Sequence, residues 1–347
     1  MDVVSDAIAA VRTGRPVVNR ARVAGRWCTR LAPYEGAGFH AVLEGSCRLL
    51  PDDGPPVTLG AGDVLLLPHG SGHVLADMTA DRDTAGHAVP FERWLEDGGA
   101  GVGGGARADG GGGGDSGVGG VGGVGDDGGD GGVGARGDGG GSVAPVEVLC
   151  GKYRFDRSHP HPLLTELPDV VHLPHRPGSH PELRSAIGLL AAETAGPRPG
   201  GCIAVPGLLD LLLVYLVRAW AAERAAGGAA GWAGALQDPA VAAALRLLHE
   251  DPARPWTTAR LAARAGVSRA TLTRRFTALV GRPPMAYLTW WRMTRAAALL
   301  RAGDAPLAAV ARQVGYGSPY ALSHAFTRAF GTTPGRYRAN GGVTAPS

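Results

Sequence analysis

Leu261-Ala-Ala-Arg-Ala-Gly266-Val-Ser268 is followed by a stretch carrying Leu272 and Phe276, then by Gly281, Pro284 and Tyr287. Val310-Ala-Arg-Gln-Val-Gly315-Tyr-Gly-Ser318 is followed by Leu322, Phe326, Gly331, Pro334 and Tyr337. This is one pattern written twice, offset by 49 residues before the turn and 50 after it, because the second turn holds one extra residue. Each copy reads as a helix-turn-helix. Two helices that cross closely need a small residue at the turn, and Gly266 and Gly315 supply it. The pairs Leu272/Phe276 and Leu322/Phe326 are spaced i, i+4, which puts each pair on one helix face and assigns it to the core.

The rest of the module follows from capping and periodicity. Asp238-Pro239 opens a helix marked by Val241, Leu245 and Leu248. Thr257 or Thr258 caps the next helix and Ser268 the one after. Pro283-Pro284 starts a long helix to about Arg301, with Trp290, Met293, Ala297 and Leu300 as its apolar stripe. Ser318 and Pro319 start the second reader helix. The faces opposite the core pairs are free to enter a major groove about 12 Å wide, which admits one helix. On the first reader helix these outward residues are Arg269, Ala270, Thr273 and Arg274. On the second they are Tyr320, Ser323 and His324, with Arg328 one turn further on. Arg274 is the first candidate for base reading, since an arginine fork on guanine supplies about 1–3 kcal/mol of discrimination. Arg269, Arg275, Arg292, Arg295, Arg312 and Arg336 are assigned to phosphate or solvent.

Charge supports a polyanion partner. Residues 236–340 hold fifteen Arg, no Lys and four carboxylates, a net +11, whereas the rest of the chain carries 19 basic and 27 acidic residues, a net −8. A basic module joined to an acidic one points to double-stranded DNA as the partner of the basic part alone. Lys152 is the chain's single lysine, which fits a compositional bias toward arginine.

From about Ala240 to Tyr337 the chain resembles the AraC/XylS family of bacterial transcription regulators. Ala308-Ala-Val-Ala-Arg-Gln-Val-Gly-Tyr-Gly-Ser and Phe326-Thr-Arg-Ala-Phe-Gly-Thr-Thr-Pro-Gly-Arg-Tyr-Arg338 follow its signature most closely. The resemblance implies two helix-turn-helix units joined by a long helix, whose second helices enter successive major-groove segments. It also implies base contacts from the positions of Ala270, Thr273 and Arg274, and of Tyr320, Ser323 and His324. His324 stands where the family often has Arg, and Gly317 replaces a commonly polar turn residue. The first copy is therefore expected to dominate base recognition and the second to fix register.

The N-terminal part alternates short apolar runs with turns over residues 17–80, and Glu147 to Phe155 reads as a further strand; together these suggest a barrel or sandwich. Gly62-Asp-Val-Leu-Leu-Leu-Pro68-His-Gly70-Ser-Gly-His73 resembles the second cupin motif. Enzymatic cupins add a His-x-His and a Glu in a first motif, but the matching positions, Ala32 to Tyr34 and Gly38, hold none of these. Only His40 and His73 remain as metal candidates, and two imidazoles make a poor site without a third ligand. The expectation is a sensing or structural barrel with no cofactor. A cupin metalloenzyme of oxygenase type fused to a DNA-binding domain is the alternative, and a constitutive regulator with a structural barrel a third reading. His69 and His87 are assigned to the surface. His159, His161, His172, His175 and His180 are assigned to loop or capping roles.

The expected fold class is thus α+β in two domains: a cupin-like barrel over 1–97 and 142–181 with trailing helices, then an all-α tandem helix-turn-helix over 238–340. The Gly-rich stretch 98–141 lacks the apolar area to offset its ordering entropy and reads as a disordered insertion. Residues 182–226 read as helices for dimerisation or connection, and 227–237 as a linker. Ile203 to Ala222 is apolar enough to raise the question of a membrane. Asp210, Arg218 and Pro206 argue instead for a buried or dimer-forming helix. Cys28, Cys47, Cys150 and Cys202 form no close pair, which fits a reducing cytosol. The opening Met1-Asp-Val-Val-Ser-Asp lacks a basic, then apolar, leader, so a cytoplasmic protein is expected. Other expected partners are a small-molecule effector, a second copy of the chain and, for an activator, RNA polymerase.

Overall fold

The computed structural model describes residues 3–96, 145–155, 160–228 and 230–339. The Gly-rich stretch and His159 lie outside these residues. The first part runs α1 (Val3–Val11), β1 (Arg12–Val23), β2 (Cys28–Leu31), β3 (Gly36–Glu44), β4 (Ser46–Pro51), β5 (Val57–Gly60), β6 (Val64–Leu67), β7 (His73–Ala76), α2 (Arg82–Ala85), β8 (Val89–Pro90), α3 (Phe91–Glu96), β9 (Val146–Phe155), α4 (Pro162–Thr165) and β10 (Val171–Leu173). The helices that follow are α5 (Pro181–Thr194), α6 (Gly201–Ala226), α7 (Gly231–Gln237), α8 (Pro239–Glu250), α9 (Thr258–Arg264), α10 (Arg269–Val280), α11 (Pro284–Ala302), α12 (Leu307–Gln313), α13 (Pro319–Phe330) and α14 (Pro334–Ala339).

The strands form two five-stranded sheets, in the orders β1-β9-β3-β6-β10 and β5-β4-β7-β2-β8. Side chains alternate across a strand, so β3 and β9 serve two cores at once. Val42, Val148 and Cys150 point into the barrel, packing with Trp27, Leu49, Leu65, Phe91 and Trp94. Phe39, Ala41, Leu149 and Tyr153 point outward beneath the helices, into a second core that includes Leu190, Leu212, Leu216 and Trp220.

Helix α6 is long and apolar enough to cross a membrane by length and composition alone. Its inner face, Leu209, Leu212, Leu213, Leu216, Val217 and Trp220, is buried. Its Asp210 pairs with Arg12 at the start of β1. A charge in mid-helix that is matched by the barrel fits a core helix.

Three readings of the sequence change here. Residues 227–237 are not a plain linker: Gly231–Gln237 is a helix with Trp232, Ala233 and Ala235 buried, and Glu166 accepts hydrogen bonds from the Trp232 amide (2.8 and 2.9 Å). The Ala/Gly composition hid a helix that Trp232 anchors. The N-terminus opens with α1, whose Val3, Val4, Ala7 and Ile8 are buried and which packs on α6, α8 and α11 as well as α4. On α11 the buried tryptophan is Trp291, with Trp290 only partly covered.

That helix divides its inner face between two clusters. Tyr287, Leu288 and Trp291 join the core containing Leu261, Leu272 and Phe276 of the first repeat, which is continuous with the core under the barrel. Met293, Ala296, Ala297 and Leu300 join a separate core with Val310, Leu322, Phe326 and Tyr337. Burying Leu272 and Phe276 of the first repeat, or Leu322 and Phe326 of the second, contributes roughly 1.5–3 kcal/mol each, so both repeats are well anchored.

The two turn glycines differ in surroundings. Gly266 has φ +71° and open space where a Cβ would be. Gly315 has φ +81°, and a Cβ there would lie 2.7 Å from the Ala253 backbone and 2.9 Å from the Arg292 guanidinium. Gly266→Ala is expected to cost roughly 1–2 kcal/mol, the left-handed backbone penalty alone. Gly315→Ala is expected to cost about 1–3 kcal/mol more, because backbone must move. Denaturant midpoints of the two variants check this, and equal losses would refute it.

Candidate nucleic-acid interface

Both reader helices are built alike. The Ser268 hydroxyl accepts from the Thr271 amide and the Ser318 hydroxyl from the Ala321 amide, each at 3.1 Å. The second cap forms despite Gly317. Thr257, not Thr258, caps α9 (3.2 Å to the Arg260 amide), and Asp238 caps α8. Gly281 and Gly331 end α10 and α13 in the left-handed conformation. Leu272, Phe276, Leu322 and Phe326 are fully buried. The opposite faces are presented to solvent: Arg269, Ala270 and Arg274 on α10, and Tyr320, His324 and Arg328 on α13, are exposed. Tyr320 is 86% exposed, a large aromatic left bare at the second helical position. Thr273 and Ser323 are half-buried, and the Thr273 hydroxyl donates to the Arg269 carbonyl at 2.9 Å.

The arginines divide more sharply than sequence allowed. Arg292 is not a phosphate or solvent residue. Its guanidinium donates to the carbonyls of Pro252 (2.7 Å) and Arg254 (3.0 Å), tying the loop before α9 to α11. Arg275 lies 3.4 Å from Asp238 and Arg295 lies over the Trp291 ring. Arg269, Arg312 and Arg336 are exposed.

A buried polar chain, not foreseen from sequence, connects this module to the rest of the molecule. The Leu163 amide donates to His161 Nδ1 (3.1 Å), so His161 carries its proton on Nε2 and donates to the Tyr287 hydroxyl (3.2 Å). Tyr287 in turn donates to His249 Nε2 (2.7 Å), and His249 Nδ1 donates to Asp6 (3.0 Å). All four side chains are buried, and Trp232, Trp290 and Trp291 surround His161. The chain therefore runs from α4 through α11 and α8 to α1. The equivalent tyrosine of the second repeat, Tyr337, accepts from Arg301 (3.0 Å), which also donates to the Ala10 carbonyl of α1 (2.8 Å). Helix α1 thus reaches both repeats. His161 does cap a helix as the sequence suggested, but no local pattern pairs residues separated by 126 or 243 positions.

In the barrel, His40 and His73 meet. His73 Nδ1 donates to the Ser71 carbonyl (2.9 Å), leaving its Nε2 to accept from His40 Nε2 (2.8 Å). His40 Nδ1 then accepts from the Cys150 thiol (3.1 Å). Each imidazole lone pair is engaged within this chain. The donor set does not fit a cupin metal, and no group of three His, Cys, Asp or Glu is arranged to hold an ion among the described residues. His69 is half-buried with Nε2 on the Leu167 carbonyl, not simply at the surface, and His172 pairs with Asp63 (3.1 Å).

A double helix-turn-helix carried behind a cupin barrel defines a DNA-binding transcription regulator. A cupin family model matches residues 2–222, a helix-turn-helix domain model residues 261–340, and a model of bacterial regulatory proteins of the tetR family residues 240–278. Putative AraC-like transcription regulators of Streptomyces antibioticus and Streptomyces lividans are each 34% identical to this chain, over 97% of it and 98% of their own length. The chain belongs to the AraC-like transcription regulators. Among solved structures, the DNA-binding domain of AdpA, a global transcriptional factor, in complex with target DNA is 36% identical over 30% of this chain and 92% of that one, with a TM-score of 0.28. The family models and the Streptomyces relatives support the regulator and give no support to the metalloenzyme alternative.

The buried histidines set an acid limit. Burial holds His40 and His161 well below the usual imidazole range and His73 down to about 4. Each ring is neutral in the fold but takes a proton on unfolding below about pH 6.5. Stability is therefore whole above pH 6.5 and falls as pH drops toward 4. Urea midpoints measured across this window should decline steadily; a flat profile would refute neutral burial.

Proposed function

We propose that this is a cytoplasmic, non-enzymatic one-component regulator whose barrel biases the first reader helix. The observation that carries this reading is the Tyr287 relay. It joins barrel-side α4 and N-terminal α1 to α8 and α11, which pack directly on α10. A small-molecule effector acts by binding two arrangements of this interface with different affinity. Base recognition rests mainly on Arg274 with Ala270 and Thr273. Tyr320, Ser323, His324 and Arg328 set register, and Arg269 meets phosphate. RNA polymerase is a further partner where the bound promoter is activated.

Two variants of the full chain test this by titration with promoter and random DNA. Arg274→Ala should weaken promoter binding by about 1–3 kcal/mol, relax preference at one base and leave random DNA nearly unaffected. Equal losses on both DNAs would make Arg274 a phosphate contact. Tyr287→Phe keeps the ring but orphans two histidine nitrogens. It should shift promoter affinity at least threefold and speed amide exchange in α1. Unchanged affinity would overturn the coupling.

Pairing is assigned to the outer faces of α5 and α6, where Leu189, Ile203 and Leu211 are exposed, Ile203 at 82%. Ile203→Asp should lower the mass found by light scattering from two chains to one. A wild-type monomer would refute the assignment.

A further inference from the structure

The open end of the barrel carries a cleft of about 350 Å³ lined by Arg15, Tyr34, Glu35, Lys152, Arg154 and Phe155. Strand alternation puts Lys152 on the same face of β9 as Cys150, Val148 and Val146, which line the barrel interior. Tyr34 lies across the inner face above Gly38, where a Cβ would come within 2.9 Å of its hydroxyl. The Lys152 ammonium sits 5.2 Å from the Tyr34 ring centre. The cleft is therefore the mouth of the barrel, above the closed His40–His73 pair.

Its charge is unbalanced. Three cations face one lining carboxylate, Glu35. Lys152 also touches Glu92 at 3.3 Å, from α3. The side chains of Arg15 and Arg154 make no hydrogen bond or ion pair among the described residues, whereas many other arginines of the barrel do, such as Arg12, Arg20, Arg22, Arg30 and Arg48. Two guanidinium forks across a cleft with two aromatic walls match an anionic head on a small organic body. The volume is at the lower end for a ligand pocket, which limits that body to a small molecule.

We infer that the barrel mouth binds a small organic anion, carrying a carboxylate or phosphate, between Arg15 and Arg154 with Lys152 behind them. This deepens the reading of the barrel as a sensor and rests on it. The position also explains how occupancy would reach DNA. Arg15 lies in an irregularity of β1, where pairing with β9 shifts register between Thr13 and Val17. Four residues upstream, at Val11, α1 ends, and that helix carries Asp6 and the Ala10 carbonyl, its ties to the two repeats. Drawing Arg15 toward Arg154 pulls on α1 through the backbone itself.

The test uses the full chain with benzoate, phenyl phosphate and neutral benzyl alcohol as probes in calorimetric titration. One or both anions should bind, benzyl alcohol should not, and the preferred anion tells carboxylate from phosphate. The double variant Arg15→Gln/Arg154→Gln should lose at least tenfold in affinity, with its melting temperature near that of the wild type. Arg22→Gln, an exposed control on the same strand, should bind as wild type does. Equal binding of the alcohol, unchanged binding by the double variant, or no binding of either anion would overturn the site. Promoter titration with and without the bound anion separates the two readings. Anion binding without a shift in DNA affinity keeps the site and overturns the coupling; a shift from Tyr287→Phe without any anion binding does the reverse.

Discussion

The Tyr287 hydroxyl lies where three parts of the chain meet, and it can be satisfied only if all three are present. His161 comes from the barrel side, His249 from the helix before the first repeat, and Asp6 stands behind His249 on the N-terminal helix. A buried hydroxyl or imidazole left without its partner costs on the order of 1–3 kcal/mol. The chain has one consistent assignment of protons because its two ends are fixed, by the Leu163 amide and the Asp6 carboxylate. It therefore fixes which face of the first repeat meets the barrel, something the surrounding tryptophans, being apolar and adaptable, do not specify alone.

The repeats show what a sequence carries openly. Core pairs at i, i+4, cap residues and turn glycines are local rules, and all of them hold: Leu272 and Phe276 are buried, Ser268 and Ser318 cap, Gly266 and Gly315 turn. The outward placement of Arg274 and His324 followed from the same periodicity. What stayed hidden depended on distant neighbours. Arg292 looked like a surface charge, yet it holds two loop carbonyls forty residues away. Helix α7 looked like a linker because its composition is Ala and Gly, and only the partner of Trp232 makes it a helix worth forming. Helix α1 does show Val3, Val4, Ala7 and Ile8 at helical spacing, a signal that strand patterning further on overshadowed.

The barrel keeps a cupin outline while its two remaining histidines bond to each other. Their pairing turns what would be a ligand position into interior packing, and the polar, cationic character of the barrel moves to its mouth. The strands provide for both, since the face of β9 that holds Cys150 inside continues through Lys152 to Arg154 at the mouth.

The long helix α11 gives its first half to one core and its second half to another. The first repeat is welded to the barrel, whereas the second is held by α11, α12 to α14 and the Arg301 bridge. Packing is thus divided unevenly along the DNA-binding module. The second repeat, with a core of its own, is a separate packing unit, whereas the first shares the core of the barrel-side helices. A core substitution in the second repeat therefore perturbs that repeat alone, whereas one in the first reaches the barrel-side helices as well. The first takes its orientation from the interface with α1, α4 and α8.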